Sequence, residues 1–196
     1  MRKIQAVAPA RIKWAIELME IEPKHNIFEI GCGSGIAAQR ICPLLGRGSY
    51  MGLDKSPAAI KAAIARNAAY TKAGRSIFIE APLNVLDREP ALFDRVLAVN
   101  VNLFWTDAYD IKTDIRRIVS KRSTFVQVYE PPSASQRRSI ARAAGKNAEE
   151  LFENVSAKMT TRGGAGLVAI IASGPKNARH ERRRSGTRLH RGLARA

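Results

Sequence analysis

Short apolar runs alternate along this chain with longer segments whose apolar positions recur at helical spacing. Residues 27–30, 49–53, 76–80, 93–99 and 124–129 are compact runs rich in Ile, Val, Leu, Phe and Tyr, the composition of buried strands. Residues 154–160 and 167–172 add two more, joined through Gly163-Gly164. Between the runs lie helical patterns. From Pro9 to Ile21, Ile12, Ala15, Ile16 and Met19 share one helix side, with Trp14 and Leu18 beside them, and Glu22-Pro23-Lys24 ends the pattern. Further helices are expected over 36–45, 56–72, 106–120 and 133–152. Ser56-Pro57 reads as an N-cap followed by proline at the first helical position, and Gly74 stops that helix. Gly145 is a weak point in the last.

Strand and helix alternate five times before a closing hairpin. That order predicts an α/β fold, a parallel sheet with helices on both faces. The first strand ends in Glu29-Ile30-Gly31-Cys32-Gly33-Ser34-Gly35. Three glycines at alternate positions make a turn where a Cβ would block either the bend or a ligand. Strand, glycine turn, helix is an arrangement that presents backbone amides to a nucleotide-like ligand. The dinucleotide pattern Gly-x-Gly-x-x-Gly fails, because its sixth position is Ile36, and no Gly-Lys-Ser/Thr triplet marks a phosphate loop.

Glu29-x-Gly31-x-Gly33-x-Gly35 resembles the first motif of class I S-adenosylmethionine-dependent methyltransferases. The resemblance runs roughly from Pro9 to Pro175 and implies a doubly wound, Rossmann-like, seven-stranded, mostly parallel sheet of order 3-2-1-4-5-7-6. The seventh strand would be antiparallel. The cofactor it implies is S-adenosylmethionine, bound at the turn of Gly31, Cys32, Gly33 and Gly35. Glu29 matches the motif's acid, expected near the cofactor's aminopropyl end. As an uncompensated buried carboxylate it needs a cationic or hydrogen-bonding partner. Asp54 closes the second strand nineteen residues after Gly35, placed to accept hydrogen bonds from both ribose hydroxyls. Lys55 either flanks the adenine or lies in solvent. Where many relatives carry an Asp after strand three, this chain has Glu80-Ala81-Pro82-Leu83, so Glu80 or a backbone group near Leu83 is expected at the adenine. Asn100 ends strand four opposite the cofactor. The segment from Val99 to Trp105 lacks the Asn/Asp-Pro-Pro-aromatic motif of amino methyltransferases, which disfavours that class. Phe104 and Trp105 serve either the core or an acceptor pocket.

Composition narrows this further. Apolar residues make up 45% of 196, enough for one folded domain, and no apolar run approaches the length of a membrane span. The start, Met1 to Ala8, is basic without a long apolar core, so no secretory signal and a cytoplasmic location are expected. Cys32 and Cys42 match no metal or redox spacing and read as small buried residues; no metal site is expected. Net charge is +16, of which +7 lies in residues 176–196. That segment lacks apolar periodicity and reads as a basic disordered tail behind a domain spanning 1–175. Neither His25, His180 nor His190 sits where a base is needed, Tyr129 and Glu130 are weak candidates, and the catalytic residue stays unknown. Three functions are open: methyl transfer to a small-molecule acceptor, methyl transfer to RNA drawn by the tail and by Arg137, Arg138, Arg142 and Lys146, or an inert nucleic-acid-binding core. The acceptor atom and the oligomeric state are not encoded in any readable motif.

Overall fold

The computed structural model describes residues 8–85, 93–104 and 109–176. The N-terminal segment to residue 7, Trp105 and residues 177–196 of the basic tail therefore lie outside the described residues. Seven strands form one sheet of order β3-β2-β1-β4-β5-β7-β6, as the resemblance implies. They are β1 (Ile27–Ile30), β2 (Tyr50–Asp54), β3 (Ser76–Glu80), β4 (Phe93–Val99), β5 (Val119–Tyr129), β6 (Phe152–Thr160) and β7 (Leu167–Pro175). The first five pair in parallel, and β7 runs antiparallel between β5 and β6.

Helices cover both faces. On one side α1 (Ala10–Leu18) and α2 (Ile36–Ile41) bury Trp14, Ala15, Ala37 and Ile41 against Ile27, Leu97 and Val126. On the other, α5 (Tyr109–Ile118) and α6 (Arg137–Glu149) bury Ile115, Ile140 and Ala144 against Phe28, Val96 and Phe125. Phe104 is fully buried, its ring tilted on Phe125 at 5.3 Å, which decides its role in favour of the core.

Several helices differ from their sequence patterns, the last spanning Arg137–Glu149 rather than 133–152. The α2 helix gives way to a tighter 3-10 turn at Cys42–Leu44, where Pro43 removes an amide donor. The expected helix 56–72 divides into α3 (Pro57–Arg66) and α4 (Ala68–Lys72) at Asn67. Its start is as read: Ser56 Oγ accepts from the Ala59 amide at 3.3 Å, with Pro57 next. The helix expected over 106–120 stops at Ile118, since β5 begins five residues early at Val119. Lys176, assigned by composition to the tail, is tied to the domain by its amide, 2.7 Å from the Leu151 carbonyl. No described helix is long and apolar enough to cross a membrane.

Candidate active site

The turn from β1 to α2 holds Gly31, Gly33 and Gly35 at φ of +71°, +52° and +72°. Space reinforces conformation at two of them. A Cβ on Gly31 would overlap Val101 Cγ2, and one on Gly35 would lie 2.6 Å from Asn67 Nδ2. At Gly33 a Cβ meets no protein atom within 4 Å, so this position opens outward.

Four of this turn's amides, which the sequence reading offered to a ligand, are engaged within the protein. Gly31 and Cys32 both donate to the Leu53 carbonyl, at 2.7 and 2.9 Å, and Gly35 donates to Cys32 at 3.0 Å. The reason is the neighbouring strand. β2 runs to Asp54 alongside the turn, and its buried Leu53 carbonyl must be satisfied. Asp54 takes the fourth amide: Oδ2 accepts from Gly33 at 2.8 Å, while Oδ1 accepts from Ser56 at 2.9 Å. One carboxylate thus joins the glycine turn to the head of α3. It accepts at about four positions, so capacity remains for a further donor.

A cavity of about 600 Å³ opens at the carboxyl ends of β1, β2 and β4. Gly31, Asp54, Lys55, Leu83 and Asn100 line it, together with Val101, Asn102 and Asp114. Five residues singled out from sequence are therefore brought to one cavity. Cys32 stays beneath, 6% exposed, its thiol pushed up to about 12 by burial. Glu80 is exposed and does not line the cavity; Leu83 does.

Glu29 is placed elsewhere. Strand alternation turns it with Ile27 toward the α1 and α2 layer, away from the cavity. It is 3% exposed and accepts a hydrogen bond from the Tyr50 hydroxyl. Burial pushes its carboxyl up to about 8, aided by the nearby Asp54 charge. A neutral phenol thus answers the need for a partner that the sequence posed. The Tyr50 phenol is itself held well above its ordinary value by burial.

A second cavity, about 260 Å³, shares Asn100 and Asn102 with the first. Tyr129, Glu130, Pro131, Pro132 and Ile140 complete it. Asn100 sits at φ +55°, a conformation rare outside glycine, and its Oδ1 accepts from the Glu130 amide at 2.7 Å. Glu130 also meets Arg11 of α1 at 2.6 Å. His25 lies at the opposite end of the sheet, where Nδ1 accepts from the Glu22 amide at 2.9 Å, and burial lowers its pKa.

Residues 28–124 match the family model described as a methyltransferase domain. That stretch resembles a methyltransferase domain, and the sheet order is that of the class I methyltransferase fold. Solved structures share the fold at low identity. A precorrin-6y C5,15-methyltransferase from Geobacter metallireducens aligns with TM-score 0.63 at 13% identity, over 86% of this chain and 94% of its own. A SAM-dependent methyltransferase from Aquifex aeolicus aligns at 0.59 and 11%, covering 82% and 88%. The [4+2]-cyclase SpnF aligns at 0.63 and 14%, covering 85% and 81%, so the shared fold alone does not name a reaction. No curated protein matches the sequence. The larger cavity fits S-adenosylmethionine on one count: Asp54 keeps acceptor capacity at its wall, whereas the Cβ-free face of Gly31 is taken up by Val101.

Val101 and Asn102 lie in the Val99 to Trp105 segment singled out from sequence but are not among the expected site residues; they join Asn100 in lining the cavity. A signal existed for Gln127. It is the lone polar residue in the run from Phe125 to Val128, and it is fully buried.

Proposed function

We propose that this domain transfers a methyl group from S-adenosylmethionine to a small-molecule acceptor seated in the 260 Å³ cavity. The observation that carries the reading is the shared wall: Asn100 and Asn102 line both cavities, so the two bound molecules meet there. The cofactor's sulfonium supplies an activated methyl group. The protein's task is then alignment and exclusion of water. In this reading the turn from Gly31 through Cys32 and Gly33 to Gly35 forms the wall behind the cofactor. Asp54 accepts from its ribose, Lys55 and Leu83 flank its base, and Asn100 bounds its methyl-bearing end. Glu29 supports the turn from behind. Tyr129 and Pro131, both buried, give the acceptor an apolar seat, with Ile140 beneath. Burial raises the Tyr129 phenol far above neutrality, so it does not serve as a base. Cytoplasmic action suits the two unpaired, buried thiols.

Incubation with methyl-labelled cofactor and fractionated cell extract tests this. Label is expected in the low-molecular-mass fraction. Label confined to RNA or protein overturns the small-molecule reading.

RNA is a second reading, favoured by one specific observation. Arg138, Arg142 and Lys146 recur at every fourth residue of α6, all exposed. None of the three pairs with a described carboxylate. The +7 of residues 176–196 would add to such a surface.

A further inference from the structure

The loop that walls the cavity after β4 is held from below by side chains of β5 and α6. Gln127 of β5 donates from Nε2 to the Val101 carbonyl at 2.6 Å. Tyr129, on the same face of β5, accepts from the Phe104 amide at 3.4 Å, and Asn147 of α6 donates to the Phe104 carbonyl at 2.7 Å. Of these three, Gln127 is the anomaly. It is fully buried, and its Oε1 has no hydrogen-bond partner. A buried unsatisfied acceptor is costly, and native chains carry few of them.

Local structure does not require this cost. The Val101 carbonyl already accepts from the Leu103 amide at 3.0 Å. An apolar side chain at 127 would leave that carbonyl satisfied and remove the orphaned oxygen, losing besides only the contact of the Gln127 amide with the Tyr129 hydroxyl. Among Phe125, Val126 and Val128 such a residue is the obvious occupant. What the amide does supply is position. It pulls the Val101 carbonyl toward β5 while Asn100, at φ +55°, redirects the chain. Val101 then rests against the Cβ-free face of Gly31, and both line the cavity.

We propose that Gln127 is a positioning residue for the cofactor: it fixes the Val101 wall against the glycine turn, at a cost in stability. The proposal rests on S-adenosylmethionine binding in the larger cavity. Two apolar variants, Gln127→Met and Gln127→Leu, test it through paired measurements, urea unfolding of the free protein and calorimetric titration with S-adenosylmethionine. Opposed effects are expected: a stability equal to or above wild type, and a cofactor Kd raised about three- to tenfold by the loss of one hydrogen bond's positioning. A Kd unchanged in both variants overturns the proposal. So does a Kd that rises only in step with lost stability, or failure of both to fold, since Gln127 is then a packing residue. Wild-type protein that does not bind the cofactor removes the underlying reading instead, which separates the two failures.

Discussion

Asp54 joins two elements with one side chain, and its removal separates two effects. Asp54→Ala frees the Gly33 and Ser56 amides and deletes the acceptor proposed for the ribose. Cofactor affinity is expected to fall by about 1–3 kcal/mol, read by calorimetry; unchanged affinity places the sugar elsewhere. Glu29 makes a prediction about pH. Its carboxyl titrates near 4.5 when unfolded and at about 8 when folded. Between those values the unfolded chain holds fewer protons, so rising pH favours unfolding. The stabilisation from this group is complete below about 4.5 and gone above about 8. Glu29→Gln keeps the size and an acceptor for Tyr50 but cannot ionise. Urea unfolding at several pH values across this range is expected to show a shallower decline for the variant; identical slopes refute the buried neutral acid.

Elements meet at the glycine turn, and their junction sets what the sequence tolerates there. Asn67 ends α3 and donates from Nδ2 to Gly35 at 3.0 Å and to Ala63 at 2.9 Å. The helix pattern over 56–72 is continuous in sequence, yet the helix breaks at the residue that ties it to the turn. Tertiary contact overrides propensity here. Gly35→Ala is expected to cost about 1–2 kcal/mol from its left-handed backbone alone. Displacement of Asn67, 2.6 Å from the new Cβ, adds to that. The urea midpoint measures the total, and a wild-type midpoint would mean the turn adapts. Asn100 is the counterpart at β4. Its side chain ties β4 to the tip of β5, where the second cavity begins.

Across the whole molecule the charge is uneven, and this bears on partners more than on fold. Single-stranded RNA binding, measured by filter retention at two or more salt concentrations, tests the α6 surface. Replacing Arg138, Arg142 and Lys146 with alanine is expected to lower the slope of log affinity against log salt by about 2, at roughly 0.7 per contact. Deleting residues 177–196 reports the tail's share separately. Absence of RNA binding by the full chain at low salt ends that reading.

The alternation of layers and the glycine turn were legible in the sequence because each rests on local pattern: short β-branched runs, helical spacing, and glycines at alternate positions; the strand order came only through the family resemblance. Asp54, Lys55, Leu83 and Asn100, singled out with the help of the resemblance, all line the larger cavity, since the carboxyl ends of parallel strands converge there. The destination of each hydrogen bond was not legible. The turn's amides belong to Leu53, Asp54 and Cys32, Glu29 faces Tyr50 on the α1 and α2 side of the sheet, and Gln127 reaches from β5 to Val101 just past the adjacent β4. Those pairings depend on register and on which face a residue occupies, and both are fixed only when distant strands pack.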